Sequence, residues 1–449
     1  MFLVVALLTG LHSATAAVHV AFNAPGDVGL TANGFAAAGE TVQITLNFDP
    51  STAARLIVVK NTGPAFIEGT FGNLAQGQEI GLTYAGFTYR FVANYYGGSG
   101  KDLVLQWRGT AAKGWGANSR GQIGDNTGTN RSGAVDVFSG GILSGKTILS
   151  LAVGEAHSLA LCSDGTVAAW GSNDRGELGN NSTASSSVPV AVDASVALSG
   201  KTVVAVAAGR YHSLALCSDG TVAAWGSNET GELGNNSTLN SSVPLAVDTS
   251  GVLSGRIVTG VAAGGQHNLA LCSDGTVAAW GSNEDGQLGI NSTIISSVPM
   301  AVDTSAALLE KTVVAVTAGR YHSLALCSDG TVASWGSNEF GQLGNGGFAH
   351  SPVAVLVDTS GALAGKTVAM ISAGLVHNLA LCSDGRVVAW GFGRDGQLGN
   401  NKATNSFSPE VVSVAGVLSG RTVTMVSAGV YHSLALCSDD TLAAWGGEC

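Results

Sequence analysis

The chain has 449 residues, and its 20 Lys plus Arg against 31 Asp plus Glu give a formal net charge of -11 at pH 7. It contains no basic tail or basic cluster of the kind that binds phosphates, so we do not expect nucleic acid as a ligand. Charged residues make up 11% and glycine numbers 64, which fits a protein of strands and turns and argues against a long disordered region.

The N-terminal segment MFLVVALLTGLHSATAA is short and apolar and ends in small residues, as an export signal does. It lacks a basic n-region, so an apolar first strand, or a start site placed a few residues late, stays open as the alternative. We interpret residues 1–17 as a signal peptide, which predicts a secreted or cell-surface protein. No later segment reaches the roughly 18 uninterrupted apolar residues of a membrane span, so we expect no membrane span.

Residues 18–110 predict a small β region. ETVQITLNF places Val42, Ile44, Leu46 and Phe48 at alternate positions, and glycines follow at turn spacing. The stretch from GTFGNLAQ to KDLVLQW is similar to the terminal β motif that follows passenger-type repeats in large secreted bacterial proteins. That resemblance implies a bacterial, exported protein. It leaves open whether the chain is part of a larger surface protein.

The rest of the chain is a repeat with a period of 55 residues. SLALCSDGTVAAWGSN begins at Ser158 and again at Ser213, and histidine, cysteine and a Trp-Gly pair keep the same step in each period. The apolar residues alternate with a period of two, and each period holds four short runs of this kind. Four strands per period make one blade of a β-propeller. The tryptophans that mark the period are Trp115, Trp170, Trp225, Trp280, Trp335, Trp390 and Trp445.

The repeat AGRYHSLALCSDGTVASWGSNEFGQLG resembles the regulator of chromosome condensation (RCC-type) repeat. The resemblance covers residues 111–449 and implies an all-β, seven-bladed β-propeller. Six complete periods separate Trp115 from Trp445. We therefore expect six complete blades plus a partial or composite one. Its strands would come from upstream, for example from GFTYRFVANY and KDLVLQW, or from beyond the end of the chain.

The repeated cysteines and histidines are predicted to have structural roles and no catalytic or metal-binding role. Equivalent positions in adjacent sheets lie about 10 Å apart, beyond the roughly 7 Å Cα limit for a disulfide, so six cysteines should be buried free thiols. His212, Ser213 and Asp219 are residue types used in nucleophilic catalysis, but neighbours on a strand point to opposite faces. We expect each histidine to bond to backbone within its own blade and each Asp-Gly to close a hairpin. We predict no catalytic, metal or cofactor site.

The residues that vary between repeats lie in the AGxxH and SNxxG segments. If the strands are antiparallel throughout, both segments lie on one face of the propeller, with the Asp-Gly turns on the other. Varied loops on a rigid scaffold are typical of recognition surfaces, although neutral drift in exposed turns stays an equal alternative. The predicted partner-binding residues are Glu155, Arg210, Tyr211, Gln266, Glu284, Arg320, Tyr321, Phe340 and Tyr431.

We therefore expect an exported, non-enzymatic binding or adhesion scaffold that recognises a protein or glycan through these loops. The resemblance also implies an alternative, a guanine-nucleotide exchange factor-like regulator of a small GTPase. The predicted signal peptide, the acidic balance and the unbroken 55-residue spacing disfavour it, because that spacing leaves no room for a wedge inserted between blades. A hydrolase is a third class, and the sequence shows no unrepeated residue of a catalytic type in a distinctive setting.

Overall fold

The computed structural model describes residues 17–447 except 25, 49, 51–54, 99, 108–111 and 440. Residues 1–16 of the predicted signal peptide, and Cys449, lie outside the described residues. The export prediction is therefore not addressed by the fold.

The described N-terminal residues form two sheets around a core of their own. Strands β1 and β3 pair in parallel, and the second sheet has the order β2-β4-β7-β6-β5. Phe22, Phe71 and Phe91 are buried at its centre. The division of the chain at residue 110 stays a prediction, since 108–111 are not described. The strands are β1 (Val18–Phe22), β2 (Val28–Ala32), β3 (Val42–Leu46), β4 (Leu56–Asn61), β5 (Glu79–Tyr84), β6 (Phe87–Gly97) and β7 (Asp102–Trp107).

The repeats form a series of separate antiparallel sheets, each made from consecutive strands. A two-stranded sheet is followed by five four-stranded sheets and a three-stranded sheet. Two short 3-10 helices, Gly141–Leu143 and Gly416–Leu418, precede two of the innermost strands. Sheet by sheet, the strands are β8 (Lys113–Gly116), β9 (Arg131–Asp136); β10 (Ile148–Val153), β11 (His157–Cys162), β12 (Val167–Gly171), β13 (Ser186–Ala191); β14 (Val203–Ala208), β15 (His212–Cys217), β16 (Val222–Gly226), β17 (Ser241–Ala246); β18 (Val258–Ala263), β19 (His267–Cys272), β20 (Val277–Gly281), β21 (Ser296–Ala301); β22 (Val313–Ala318), β23 (His322–Cys327), β24 (Val332–Gly336), β25 (Ser351–Leu356); β26 (Val368–Ala373), β27 (His377–Cys382), β28 (Val387–Gly391), β29 (Ser406–Val411); β30 (Val423–Ala428), β31 (His432–Cys437), β32 (Leu442–Gly446).

The Asp-Gly turns close tight hairpins, as predicted. Between β15 and β16, Gly220 has a φ of 81° and the carboxylate of Asp219 accepts a hydrogen bond of 3.0 Å from the amide of Thr221. A positive φ of this kind favours glycine. Since every pair within these sheets is antiparallel, the AGxxH and SNxxG segments lie together on the face opposite these turns. We call that face the variable-loop face.

Neighbouring sheets are joined by the repeated tryptophan. Trp225 is fully buried against Leu159, Leu161 and Leu178 of the preceding sheet. Its indole Nε1 donates a hydrogen bond of 2.8 Å to the backbone oxygen of Glu177 in that sheet's SNxxG loop. The same bond recurs with 48 residues between donor and acceptor in Trp170, Trp280, Trp335, Trp390 and Trp445.

The predicted free thiols are confirmed. Six cysteines, one at the end of the second strand of each repeat, are buried and form no disulfide in the described part of the chain. Burial raises the pKa of the Cys162 and Cys272 thiols to about 11. They pack against the preceding sheet as small apolar side chains.

The predicted multi-bladed all-β propeller is confirmed, but one proposed source of its last blade is wrong. GFTYRFVANY and KDLVLQW form β6 and β7, and β7 is hydrogen-bonded on both edges, to β4 and β6, within the N-terminal sheet. These strands cannot also complete a blade. The six periods are instead spread over seven sheets, with β8–β9 as the third and fourth strands of one and β30–β32 as the first three of another.

The N-terminal β region lies against the propeller on the side of the Asp-Gly turns. Nζ of Lys101 donates a hydrogen bond of 3.1 Å to the backbone oxygen of Val314, and Nε2 of Gln106 one of 3.2 Å to that of Leu149. Tyr96 packs against the core between two central sheets. Because Val314 and Leu149 lie at or next to the beginnings of inner strands, this face is partly covered and the variable-loop face is left open.

Trp280 and Trp115 occupy the same repeat position in different surroundings, which gives a matched test of inter-sheet packing. Trp280 is 0% exposed, whereas Trp115, in the two-stranded sheet, is 45% exposed. We expect Trp280→Ala to lower the free energy of unfolding by about 3–5 kcal/mol and Trp115→Ala by less than about 1 kcal/mol. Guanidinium unfolding followed by tryptophan fluorescence and circular dichroism measures both; equal losses would contradict this account of the repeat.

Gly77 tests the contact between the N-terminal β region and the propeller. It has a φ of 74°, and a Cβ there would overlap the backbone oxygen of Ser163 in an Asp-Gly turn. Gly77→Ala should separate the two surfaces and raise the acetylation rate of the buried Lys101 at least about tenfold, read by mass spectrometry. Gly39→Ala is the control, because Gly39 has a φ of 84° and nothing within 4 Å. Equal rates in both variants would show that backbone strain, and not the contact, governs the labelling.

Candidate binding face

The variable-loop face surrounds the mouth of a central channel. The first free positions of the AGxxH segments line it, above inner strands that end in Ala-Gly pairs such as Ala208–Gly209. Because these small residues leave space, the mouth encloses a cavity of about 410 Å³. The side chains and glycine around it are Glu155, Arg210, Gly265, Arg320, Leu375 and Val430.

One side of the mouth is a closed cluster of charged and aromatic groups. Nε of Arg210 lies 2.5 Å from Oε2 of Glu155. The ring of Tyr211 lies 4.7 Å from the guanidinium carbon of Arg210 and 4.7 Å from that of Arg175. Arg175 in turn pairs with Glu229 at 3.0 Å. The sequence prediction that Glu155, Arg210 and Tyr211 belong to one surface is consistent with this geometry, and their charges are largely satisfied by one another.

Arg320 on the other side of the mouth differs. Its guanidinium carbon lies 5.0 Å from the ring of Tyr321, but it forms no ion pair with a carboxylate in the described parts of the chain. Its Nε is buried and makes no hydrogen bond within those residues. Among the described residues, the mouth therefore carries one arginine without an ion pair.

A separate row of aromatic rings joins two SNxxG-type loops to the last AGxxH segment. Phe340 meets Phe392 edge to face with 5.3 Å between ring centroids, and Phe392 lies 6.5 Å from Tyr431. Glu284 is exposed, and Gln266 is half-buried with its backbone oxygen accepting from Ser282. The nine predicted residues thus divide between the channel mouth, this aromatic row and two positions, Gln266 and Glu284, that join neither.

Each SNxxG loop is held by its asparagine. The side chain of Asn228 accepts a hydrogen bond of 2.8 Å from the amide of Leu233 and donates to the backbone oxygens of Ser237 and Leu239 at 3.0 Å. Asn228 is 0% exposed. The repeated Ser-Asn pair therefore fixes the loop backbone, and the two positions after it can vary without disturbing the fold.

The repeated histidines bond between sheets, which corrects the prediction that each bonds to backbone within its own blade. His157 Nε2 lies 2.9 Å from Oγ of Ser213 in the next sheet, and His212 Nε2 lies 2.7 Å from Oδ1 of Asn268. The prediction failed because histidine and serine adjacent in sequence point to opposite faces, so each reaches a different neighbouring sheet. The same contact is made by His267 with Ser323, His322 with Asn378 and His377 with Ser433, at 2.8, 2.8 and 2.9 Å.

These serine and histidine pairs are arranged as structural links. Oγ of Ser213 donates to the backbone oxygen of Glu177 at 2.9 Å, so it must accept from Nε2 of His157. A hydroxyl that gives its proton to a carbonyl is not poised to attack a substrate. Both side chains are also buried, with Ser213 at 0% exposure.

Some residues of the face were missed at the sequence level. Arg175, Leu375 and Val430 stand at varied positions but were not selected as binding residues. Phe392 stands where the four preceding repeats have the serine of SNxxG, and that departure from the pattern is the signal that could have found it.

A second, smaller cavity of about 260 Å³ lies on the opposite face, beside Asp219 and Arg256. Both groups are already paired, Asp219 with Lys201 at 3.0 Å and Arg256 with Asp274 at 2.8 Å. The channel mouth is therefore the better candidate for ligand binding.

Comparison with known proteins identifies the repeat. The sequence profile described as the RCC1-like domain matches residues 111–448. This chain belongs to the RCC1-like domain family. Members of this family support a binding or regulatory role for the propeller.

Three relatives show how the similarity is distributed. The ultraviolet-B receptor UVR8 of Arabidopsis thaliana is 30% identical over 302 residues, 67% of this chain and 65% of the receptor. The human E3 ubiquitin-protein ligase HERC2 is 33% identical over 289 residues, 64% of this chain but only 6% of the ligase. Yeast RCC1 (Prp20), in a crystal structure with Kap60, has a TM-score of 0.63 and 26% identity, covering 74% of this chain and 77% of that one.

Within the described residues, no helix has the length and apolar character needed to cross a bilayer.

The buried histidines predict a pH dependence of stability. Burial lowers the pKa of His157, His267 and His377 to about 3 and that of His322 to about 4, far below the value near 6.5 of an unfolded chain. Between these values the unfolded chain binds protons that the folded chain does not, so stability falls as pH falls below about 6.5. Each such histidine lowers the free energy of unfolding by up to about 1.4 kcal/mol for each pH unit of acidification in this range.

Unfolding at pH 7, 6 and 5 measures this slope before most carboxylates titrate. His267→Gln keeps a hydrogen-bond donor toward Ser323. It should reduce the loss of unfolding free energy per pH unit by the contribution of one histidine. Exposed His19 in the N-terminal region provides the control, and His19→Gln should leave the slope as it is. An unchanged slope in His267→Gln would show that the buried histidine does not stay neutral in the fold.

Proposed function

We propose that the chain is an exported, non-enzymatic binding or adhesion scaffold whose ligand, a protein or glycan, binds at the variable-loop face. The observation that carries this proposal is the open channel mouth with its arginines and tyrosines. Arginine and tyrosine are frequent anchors of interfaces, and the repeat scaffold holds them in fixed positions. The opposite face is partly covered by the N-terminal β region.

The relatives support protein as the class of ligand. One crystal structure shows yeast RCC1 (Prp20) bound to Kap60, and a second study of Prp20p concerns its binding to Gsp1p and histones. Binding of proteins by a propeller of this family is the property we carry over. The acidic net charge of -11 continues to argue against nucleic acid as the ligand.

The non-enzymatic part of the proposal rests on repetition and burial. Every candidate nucleophile and base of the repeat recurs from sheet to sheet, and these side chains bond one another between the sheets. A cofactor is not required by any group that we describe. Export, a bacterial source and membership of a larger surface protein rest on the N-terminal sequence alone.

The alternative, a guanine-nucleotide exchange factor-like regulator of a small GTPase, is favoured by the likeness to yeast RCC1 over 74% of the chain. It predicts that the protein accelerates nucleotide release from a small GTPase of the producing organism. The scaffold proposal predicts no such acceleration.

The proposal is tested by retention of ligands from the extracellular and envelope fractions of the producing organism. The immobilised full chain is compared with a variant in which Arg210, Tyr211, Arg320 and Tyr321 are changed to serine. A control variant carries Lys201, Asp219, Lys311 and Asp329 changed to serine on the opposite face. We expect a protein or glycan that binds the chain and the control but is retained at least about tenfold less by the first variant. Equal retention by both variants would place the site elsewhere.

A further inference from the structure

We propose that Arg320 is the anchor of a carboxylate, presented by a protein ligand next to an aliphatic side chain that packs on Leu375 and Val430. This inference rests on the proposed function and names the chemistry of the ligand. The carboxylate can belong to an aspartate or glutamate side chain or to a C-terminus, since all of these present the same planar pair of oxygens to a guanidinium.

The argument begins with a matched pair inside the chain. Arg210 and Arg320 stand in the same sequence, AGRYHSLALCSDG, and each guanidinium lies over the tyrosine that follows it. Their partners come from the sheet before. That position is Glu155 for Arg210 and Gly265 for Arg320, so at this position only Arg210 receives a carboxylate.

The glycine is required where Arg320 lies. A Cβ on Gly265 would come within 2.6 Å of the backbone oxygen of Arg320 and 2.8 Å of its Cγ. The arginine stem therefore occupies the space that a side chain at position 265 would take. The protein cannot supply an acidic side chain from this position without moving the arginine.

The cost of this arrangement points to an external acceptor. The Nε of Arg210 and the Nε of Arg320 are both buried without a hydrogen bond in the described residues. The carboxylate of Glu155 lies 2.5 Å from the first, and no described carboxylate pairs with the second. A buried donor of this kind lowers stability unless an acceptor binds. A ligand carboxylate that reaches the guanidinium of Arg320 would supply the ion pair that Glu155 supplies at Arg210.

The side chains beside Arg320 also favour an aliphatic group on the ligand. Leu375 and Val430 are the next two positions around the mouth, and both are aliphatic and half-buried. The cavity of about 410 Å³ lies within the range of about 300–1,000 Å³ of small-ligand sites. It therefore suits a carboxylate together with one aliphatic side chain, and not a bare inorganic anion.

The negative net charge of the chain does not prevent a carboxylate from binding at the mouth. At about 0.15 M ionic strength charges are screened beyond about 8 Å, so the ligand responds to the groups at the mouth. Among the described residues that line the mouth, Glu155 is the acidic one, and it is paired with Arg210.

The test uses fluorescein-labelled pentapeptides, blocked at both ends, with glutamate between leucine and valine at the centre. Glutamine replaces glutamate in the comparison peptide, and a third peptide carries its carboxylate only at a free C-terminal valine. Fluorescence polarisation with the full chain should give at least about tenfold tighter binding of one or both carboxylate peptides than of the glutamine peptide. The two carboxylate peptides distinguish a side chain from a C-terminus as the source.

Variants assign the preference to Arg320. R320Q should abolish it, and R320K should retain part of it. E155Q should strengthen binding of the carboxylate peptides by freeing Arg210, and R256Q, which removes one charge from the opposite face, should change nothing. Matching melting temperatures confirm that each variant folds. Equal binding of all peptides, no binding at all, or a preference that survives R320Q overturns the inference.

These outcomes are distinct from a failure of the proposed function. Suppose that the four-residue variant loses a ligand in the retention experiment but the peptides show no carboxylate preference. The variable-loop face would then remain the binding site, and Arg320 would not be an anchor of carboxylates. If the peptides show the preference but no ligand is lost by that variant, Arg320 would remain a carboxylate anchor and the proposed function would fail.

Discussion

The fold depends on one backbone oxygen in each repeat. The oxygen of Glu177 accepts hydrogen bonds from the indole of Trp225 and the hydroxyl of Ser213, both in the next sheet, at 2.8 and 2.9 Å. Ser213 is in turn bonded to His157 of the sheet that carries Glu177. Three polar groups that would be costly to bury alone thus satisfy one another between two sheets. The spacing of 55 residues is what brings them into register.

This constraint explains both what is constant and what changes between repeats. The position of Ser213 is asparagine in two repeats, at Asn268 and Asn378. Asn268 donates to the oxygen of Glu232 at 2.7 Å and accepts from His212 at 2.7 Å. A hydroxyl and an amide each offer one donor and one acceptor here, so the exchange preserves the chain of bonds. The loop that carries the accepting oxygen is also the SNxxG loop. Its anchor is fixed by the core, and its two free positions are available for binding.

Much of this was accessible from the sequence and some was not. Period, strands, hairpin turns, free thiols and the sharing of one face by the two variable segments follow from spacing and alternation, which are local properties. The partner of His157 did not follow, because it lies one sheet away and a single strand does not show which neighbour a side chain meets. KDLVLQW was one suggested source of a blade strand, and it lies in the N-terminal sheet instead. The sequence did not show this because β propensity does not select a pairing partner.

The difference between Arg210 and Arg320 shows how copied repeats can acquire distinct uses. Copying delivers the same arginine and tyrosine to two sheets, but each side chain at the channel mouth is completed by the sheet before it. Glu155 neutralises Arg210, whereas Gly265 offers no carboxylate to Arg320, which has no ion pair among the described residues. A change in one repeat therefore alters the chemistry of its neighbour while both cores stay the same. Specificity in such a propeller resides in pairs of adjacent repeats, so the varied positions are best compared two sheets at a time.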